Sequence, residues 1–194
     1  MGRVADVFFL TVMWAVCSLP VVTAGASTTA LYYVSLKMAK NREGYLWKSF
    51  FRAFKDNFAQ STVVWLVMLA MGAFLGMDLY FFYHLDAKTA VFAFWLFLVF
   101  TVLYFFVAVL VFPLEARLDT NVGNLFFMAF MVSIKNFSWV MLMLVTVVCI
   151  LAVGVFVFWP VLLVGAGTIA YLHSLILVWI VFPKYGWNGE EEQA

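Results

Sequence analysis

The sequence predicts an all-α fold: a polytopic transmembrane bundle of six spans, with amphipathic interfacial helices on the cytoplasmic side and an internal hairpin repeat. Three observations carry that expectation. Of 194 residues, 67% are hydrophobic and only 11% charged, against about 25% charged in soluble domains, so there is too little polar side chain to cover an apolar core in water. The apolar residues come in runs near the ~20 residues that a helix needs to cross a bilayer. Basic residues crowd the connections of one side, as they do on cytoplasmic faces. The net charge of +1 gives no reason to expect nucleic acid; the lipid bilayer is the expected partner.

A single transmembrane domain over 1–194 is read in order. Residues 4–19 and 21–39 form the first two spans, bent at Pro20. The second is polar for a span: "LPVVTAGASTTALYY", 19–33, holds Thr23, Ser27, Thr28 and Thr29. Such hydroxyls bond back to their own carbonyls or across to a neighbouring helix. Two other readings stand beside this one. A signal peptide would use Val7–Leu19 as its apolar core and Ala24-Gly25-Ala26 near its cleavage site, although Asp6 in the basic region counts against it. A five-span chain would lay residues 24–39 on the surface.

"YLWKSFFRAFKDNF", 45–58, puts Trp47, Phe50, Phe51, Phe54 and Phe58 on one helical face and Lys48, Arg52, Lys55 and Asp56 on the other. Aromatics opposite basic residues describe a helix lying in the membrane interface. It is either an elbow anchoring the next span or a docking face for a partner. Residues 62–83 and 89–112 form a hairpin around a polar turn at 84–88, closed by Pro113. A second interfacial helix over 121–134 starts from the turn cluster "DTNVGN" at 119–124. Residues 138–182 contain no Asp, Glu, Lys or Arg. As one helix they would reach about 65 Å, twice the hydrocarbon thickness. They therefore cross twice, over 138–158 and 161–182, and turn at Trp159-Pro160.

Two echoes suggest the repeat. PVVTAGASTTA at 20–30 and PVLLVGAGTIA at 160–170 share six of eleven residues, and FFRAF with KDNF at 50–58 returns as FFMAF at 126–130 with KNF at 135–137. With six spans, Arg3, Lys37, Lys40, Arg42, Lys48, Arg52, Lys55, Arg117, Lys135 and Lys184 share one side, Lys88 alone takes the other, and both termini are cytoplasmic. Small residues at four-residue spacing (Gly72/Gly76, Ala26/Ala30, Ala166/Ala170/Ser174) let helices approach closely, for internal packing or for a homo-oligomer.

Signs of chemistry are few. There is no Gly-rich phosphate loop and no cluster with metal-ligand spacing, so neither cofactor nor metal is expected. Cys17 and Cys149 lie in apolar runs and read as small hydrophobes. No nucleophile is paired with a base, and the chain is not expected to be an enzyme. His173, beside Ser174, falls near mid-membrane, where an ionisable residue is a functional candidate; the other reading is a neutral histidine bonded to a neighbouring helix. Thr23, Ser27, Thr28 and Asp78 complete the candidate intramembrane polar site. Glu115, Arg117 and Asp119 are read as a cytoplasmic ion-pair cluster with Arg52 or Lys55. Asn57 and Asn136, at matching places in the second echo, are expected to cap or bond helix ends.

"LPVVTAGASTTALYYVSLKM", then "FRAFKDNF" and a tryptophan-bearing span, with a later "KNF" before another span, resembles the YesL-like family. This is domain of unknown function 624, integral membrane proteins found mainly in Gram-positive bacteria. The resemblance implies a multi-pass protein of the bacterial cell membrane, with a gene often placed near those for carbohydrate uptake and breakdown. It brings no catalytic or binding residues. The expected function is an accessory component of carbohydrate uptake, with a sugar-uptake membrane complex as partner. The alternative is a small-solute carrier or channel. A water-filled cavity reaching Thr23, Ser27 and His173 favours the carrier; a solid bundle with exposed aromatics at 45–58 favours the accessory component.

Overall fold

The computed structural model describes residues 3–41, 45–85, 88–156 and 161–187, and among them all regular structure is helical. Helix α1, Arg3–Cys17, ends three residues before Pro20, which has no N–H to continue it. The carbonyls left over at that end are taken by Thr23, whose hydroxyl donates to Cys17 O (2.6 Å) and Pro20 O (2.8 Å). A short 3₁₀ turn, Val21–Thr23, leads into α2, Ala24–Ala39. Asn41 closes α2 at φ 53°, a left-handed conformation that asparagine tolerates. Next come α3, Leu46–Asp56, and α4, Phe58–Tyr83, joined at Asn57.

Helix α5, Lys88–Glu115, runs through Pro113 rather than stopping there. A proline removes only its own bond to the preceding turn, and Ala116 N still donates to Phe112 O (2.9 Å). Helix α6, Val122–Lys135, meets α7, Phe137–Phe156, at Asn136. Helix α8, Val161–Ile176, widens into a π turn, Leu177–Val181, just before Phe182–Tyr185 and its Pro183. The proline crowds the turn before it, and a wider turn relieves that crowding.

The body of the protein gathers around α2, which packs against α1, α3, α4, α5 and α8. Twelve of its sixteen residues are buried. This explains its polarity: a helix enclosed by other helices meets protein, not lipid. The hairpin α4–α5 is different. It joins the body through Ser61, Val64 and Met68 at one end and through Phe106 and residues 110–116 at the other. Between 69 and 105 no described residue is buried, and towards the tip the two helices pack on each other, through pairs such as Phe82–Phe97.

Four helical stretches are long and apolar enough to cross a membrane: Phe58–Tyr83, Val91–Glu115, Phe137–Phe156 and Val164–Tyr185. The six spans expected are not all of that kind. At 15 and 16 residues, α1 and α2 extend about 22–24 Å, short of a ~30 Å hydrocarbon layer. Their turn also lies against the lower part of α4. Trp65 Nε1 donates to Val21 O (2.8 Å), and α4 continues about 27 Å beyond Trp65 to Tyr83. Pro20 does break the chain between α1 and α2, as expected. The proposed turn at Trp159-Pro160 falls outside the described residues.

The hairpin repeat fares less well. The first echo pairs α1–α2 with α7–α8; the second pairs α3–α4 with α6–α7. Helix α7 would then answer to both α1 and α4, which no single duplication allows. The second echo does have a local geometric counterpart. At each joint an asparagine Nδ2 donates to the carbonyl four residues back: Asn57 to Ala53 (3.0 Å) and Asn136 to Val132 (3.2 Å). Each therefore bonds the end of the helix before it, and neither side chain caps the helix that follows. Asn136 is also tied to Lys184 and Tyr185 (3.1 and 3.0 Å). Asn136→Ala should therefore cost about 1–2 kcal/mol and Asn57→Ala less, measured by thermal unfolding in detergent.

Candidate functional site

Helix α2 sends polar side chains to its neighbours in three directions. Towards α1, Trp14 Nε1 donates to Thr28 Oγ1 (3.1 Å), Ser18 and Ser27 share a hydrogen bond (2.8 Å), and Thr28 also bonds back to Ala24 O. These short hydroxyls satisfy their own helix and stitch it to the next.

Towards α8 and α7 lies His173, completely buried. Its Nε2 faces Met143 O (3.1 Å) and Thr146 Oγ1 (3.0 Å), and its Nδ1 faces the Tyr32 hydroxyl (3.0 Å). A carbonyl can only accept, so Nε2 carries the proton, and Tyr32 then donates to Nδ1. The result is a neutral imidazole clasped between α2, α7 and α8.

Towards α4 and α5, Ser61 Oγ donates to Thr29 Oγ1 (3.0 Å), and Thr29 Oγ1 donates to Glu115 Oε2 (2.9 Å). Glu115 is 3% exposed, and its Oε1 has no partner. Backbone packing is tight here: a methyl group on Gly25 would lie 2.5 Å from Ser61 O and 2.6 Å from Trp65 Cβ.

The expected intramembrane site does not assemble as one group. Thr23, Ser27 and Thr28 serve the α1–α2 contact, while His173 has Tyr32, Met143 and Thr146 around it. Ser174 is buried beside His173, but its Oγ bonds nothing. Asp78 sits on the freestanding part of α4, away from both groups. The histidine follows the second of its two readings, a neutral side chain bonded to neighbouring helices.

Among the described residues the expected ion-pair cluster does not come together as one group. Arg52 pairs with Asp56 on its own helix (3.6 Å). Arg117 donates to Trp187 O (2.9 and 3.2 Å), and Glu115 has turned into the core. Of the aromatics expected on one face of 45–58, Phe50 of α3 is fully buried, Phe51 and Phe54 are half-buried, and Trp47 and Phe58, the first residue of α4, are exposed beside the exposed Lys48, Arg52 and Lys55. The rings run in a ladder, with Trp47–Phe51 at 4.8 Å and Phe54–Phe58 at 5.6 Å.

Comparison picks out the helices from α1 through most of α4, which carry the α2 side of the polar hub. Residues 7–79 match the family described as Protein of unknown function, DUF624. The match bears out the resemblance read from "LPVVTAGASTTALYYVSLKM" and "FRAFKDNF", both of which it contains; the later "KNF" lies outside it. Comparisons with curated proteins and with solved structures gave no match. The DUF624 match and the long apolar helices together make this a multi-pass integral membrane protein.

Sequence reasoning passes over Tyr32 and Ser61, and it reads Thr29 only as a helix hydroxyl and Glu115 only as part of an ion-pair cluster. One signal is present: Gly25, Thr29 and Tyr32 recur at helical spacing on α2. Nothing in the sequence brings Ser61 and Glu115, on two different helices, to that stripe.

Among the described residues no group of His, Cys, Asp or Glu could hold a metal. A cavity of about 590 Å³ lies between α4, α5 and α6, walled by Met68, Met71, Phe74, Phe100, Phe126 and Phe130, among other apolar side chains. Tyr104 reaches it too, but its hydroxyl is already given to Met68 O (2.9 Å). Neither His173 nor the α2 hydroxyls line it.

Proposed function

We propose that this protein is a non-catalytic accessory component of a membrane uptake system, docking its partner through the basic, aromatic face of α3. One observation carries the reading. The polar atoms of Thr23, Ser27, Thr28 and His173 are occupied by bonds within and between helices, and the large cavity is apolar. That argues against a polar route for solute and leaves α3 as the surface richest in recognition chemistry. Aromatic and arginine side chains supply most of the energy at protein interfaces, and the exposed Arg52–Asp56 pair holds Arg52 only weakly.

The carbohydrate connection rests on the gene neighbourhood that the YesL-like resemblance implies. We place the termini and the basic connections in the cytoplasm of a bacterial cell. That placement holds whether α1 and α2 cross the bilayer or enter it as a pair, because either way the chain returns to the side from which it set out.

The test is quantitative pull-down in mild detergent, comparing the wild type with Trp47→Ala/Arg52→Glu/Lys55→Glu. The variant should keep its membrane topology by cysteine labelling and lose its specific partner about tenfold. Equal recovery of the same proteins by both forms would remove α3 as the docking face. Transport of a labelled sugar by the purified protein in vesicles would overturn the accessory reading.

A further inference from the structure

We propose that Glu115 is a proton-binding site at the root of the α4–α5 hairpin, carried as the neutral acid in the resting bundle. The carboxyl lies where three helices meet: α5 supplies it, α2 supplies Thr29 and α4 supplies Ser61. A carboxylate taken out of water is unfavourable by several kcal/mol unless a cation or several donors compensate it. Here the compensation is the Thr29 hydroxyl on Oε2, with the Ser61 hydroxyl behind it, and nothing on Oε1.

No described basic residue pairs with Glu115. The groups facing it are Thr29 from α2 and Ser61 from α4. Asp78, the one acidic residue of α4, lies ten residues beyond Met68. Lys37 of α2 lies over the Tyr33 ring (4.3 Å). Lys135 of α6 lies near the Tyr185 ring (5.9 Å). Arg117, two residues on, holds Trp187 O. Helix α7 contributes no Asp, Glu, Lys or Arg.

A metal cation would also neutralise the charge, but a hard cation is held by several oxygen ligands with their lone pairs turned inward. The hydroxyls here are chained the other way, Ser61 donating to Thr29 and Thr29 donating to the carboxyl. One proton neutralises the group without disturbing that chain. Its release would leave a bare charge among the contacts of α2 with α4 and α5 that help fix the hairpin to the body, so proton binding and the seating of the hairpin are coupled.

The experiment is labelling of the full-length protein in membranes with dicyclohexylcarbodiimide, an apolar reagent that adds to protonated carboxyls, with peptide mass spectrometry as the readout. An adduct is expected at Glu115 near neutral pH, decreasing as pH rises and unaffected by sodium. Thr29→Val removes the hydroxyl bonded to Oε2, a donor that favours the anion, so its labelling should persist to a pH about one unit higher. In parallel, thermal stability of the wild type should fall with rising pH, because a group that keeps its proton only in the fold binds more protons when native. Glu115→Gln should remove that part of the pH dependence. Three results would overturn the proposal: no adduct at Glu115 in folded protein, sodium protection at fixed pH, which would make this a cation site, or labelling that Thr29→Val leaves at the same pH.

Discussion

Gly25→Val is expected to abolish recovery of folded protein from detergent, and Gly25→Ala to lower stability by about 3 kcal/mol, the upper end for an overfilled contact. The atoms in the way are the backbone carbonyl of Ser61 and the Cβ of Trp65, both under 3 Å from where the added methyl would sit. Neither is the end of a flexible side chain that can swing aside. Relief would require α2 and α4 to separate, which would also stretch the Ser61–Thr29–Glu115 chain and the Trp65–Val21 bond. Gly76 on the freestanding part of α4 is the control, because nothing lies within 4 Å of a methyl added there. Gly76→Ala should be neutral or stabilising by up to about 1 kcal/mol, the helix propensity difference. A loss at Gly25 with no loss at Gly76, read from thermal unfolding monitored by size-exclusion, would verify the packing. Equal effects would contradict it.

His173→Leu should cost about 3 kcal/mol. Interhelical hydrogen bonds in membrane proteins average only about 0.6 kcal/mol each, so lost bonds alone do not account for that figure. The larger part is the Tyr32 hydroxyl, fully enclosed and left without an acceptor, at about 1–3 kcal/mol. Tyr32→Phe removes that hydroxyl, so the double variant Tyr32→Phe/His173→Leu should be at least 1 kcal/mol less destabilised than the sum of the single variants. Additive losses would show that the two side chains do not act as a pair. Wild-type stability for His173→Leu would reduce the histidine to a packing residue.

Much of the fold can be read in the sequence because hydropathy and helix periodicity are local. The starts and ends of α3 to α7 fall within a few residues of the expected positions, and the chain breaks at Pro20 as the sequence predicts. The number of crossings is harder to read. Hydropathy scores α1 and α2 by composition, whereas their role depends on what surrounds them. The Thr23–Thr29 stretch looks like a marginal span because it is polar, and it is polar because α2 is walled in by five other helices. The site follows the same pattern. His173 stands out as an ionisable residue in an apolar run. Glu115, two residues after a proline and two before an arginine, looks in sequence like part of a solvated charge cluster. Only the three-dimensional approach of α2 and α4 shows that it faces inward. Arg52 likewise pairs not with the distant acidic residues expected but with Asp56, one helical turn away on its own helix.

The α4–α5 hairpin is clamped at one end and has no buried described residue between 69 and 105, which makes it a lever. From Met68 to Tyr83 it extends about 22 Å, so a tilt of about 10° at the clamp displaces the tip by about 4 Å. Adjustments too small to break any hydrogen bond around Gly25 and Ser61 are thereby amplified into a movement on the opposite side of the bilayer, large enough for a neighbouring protein to detect.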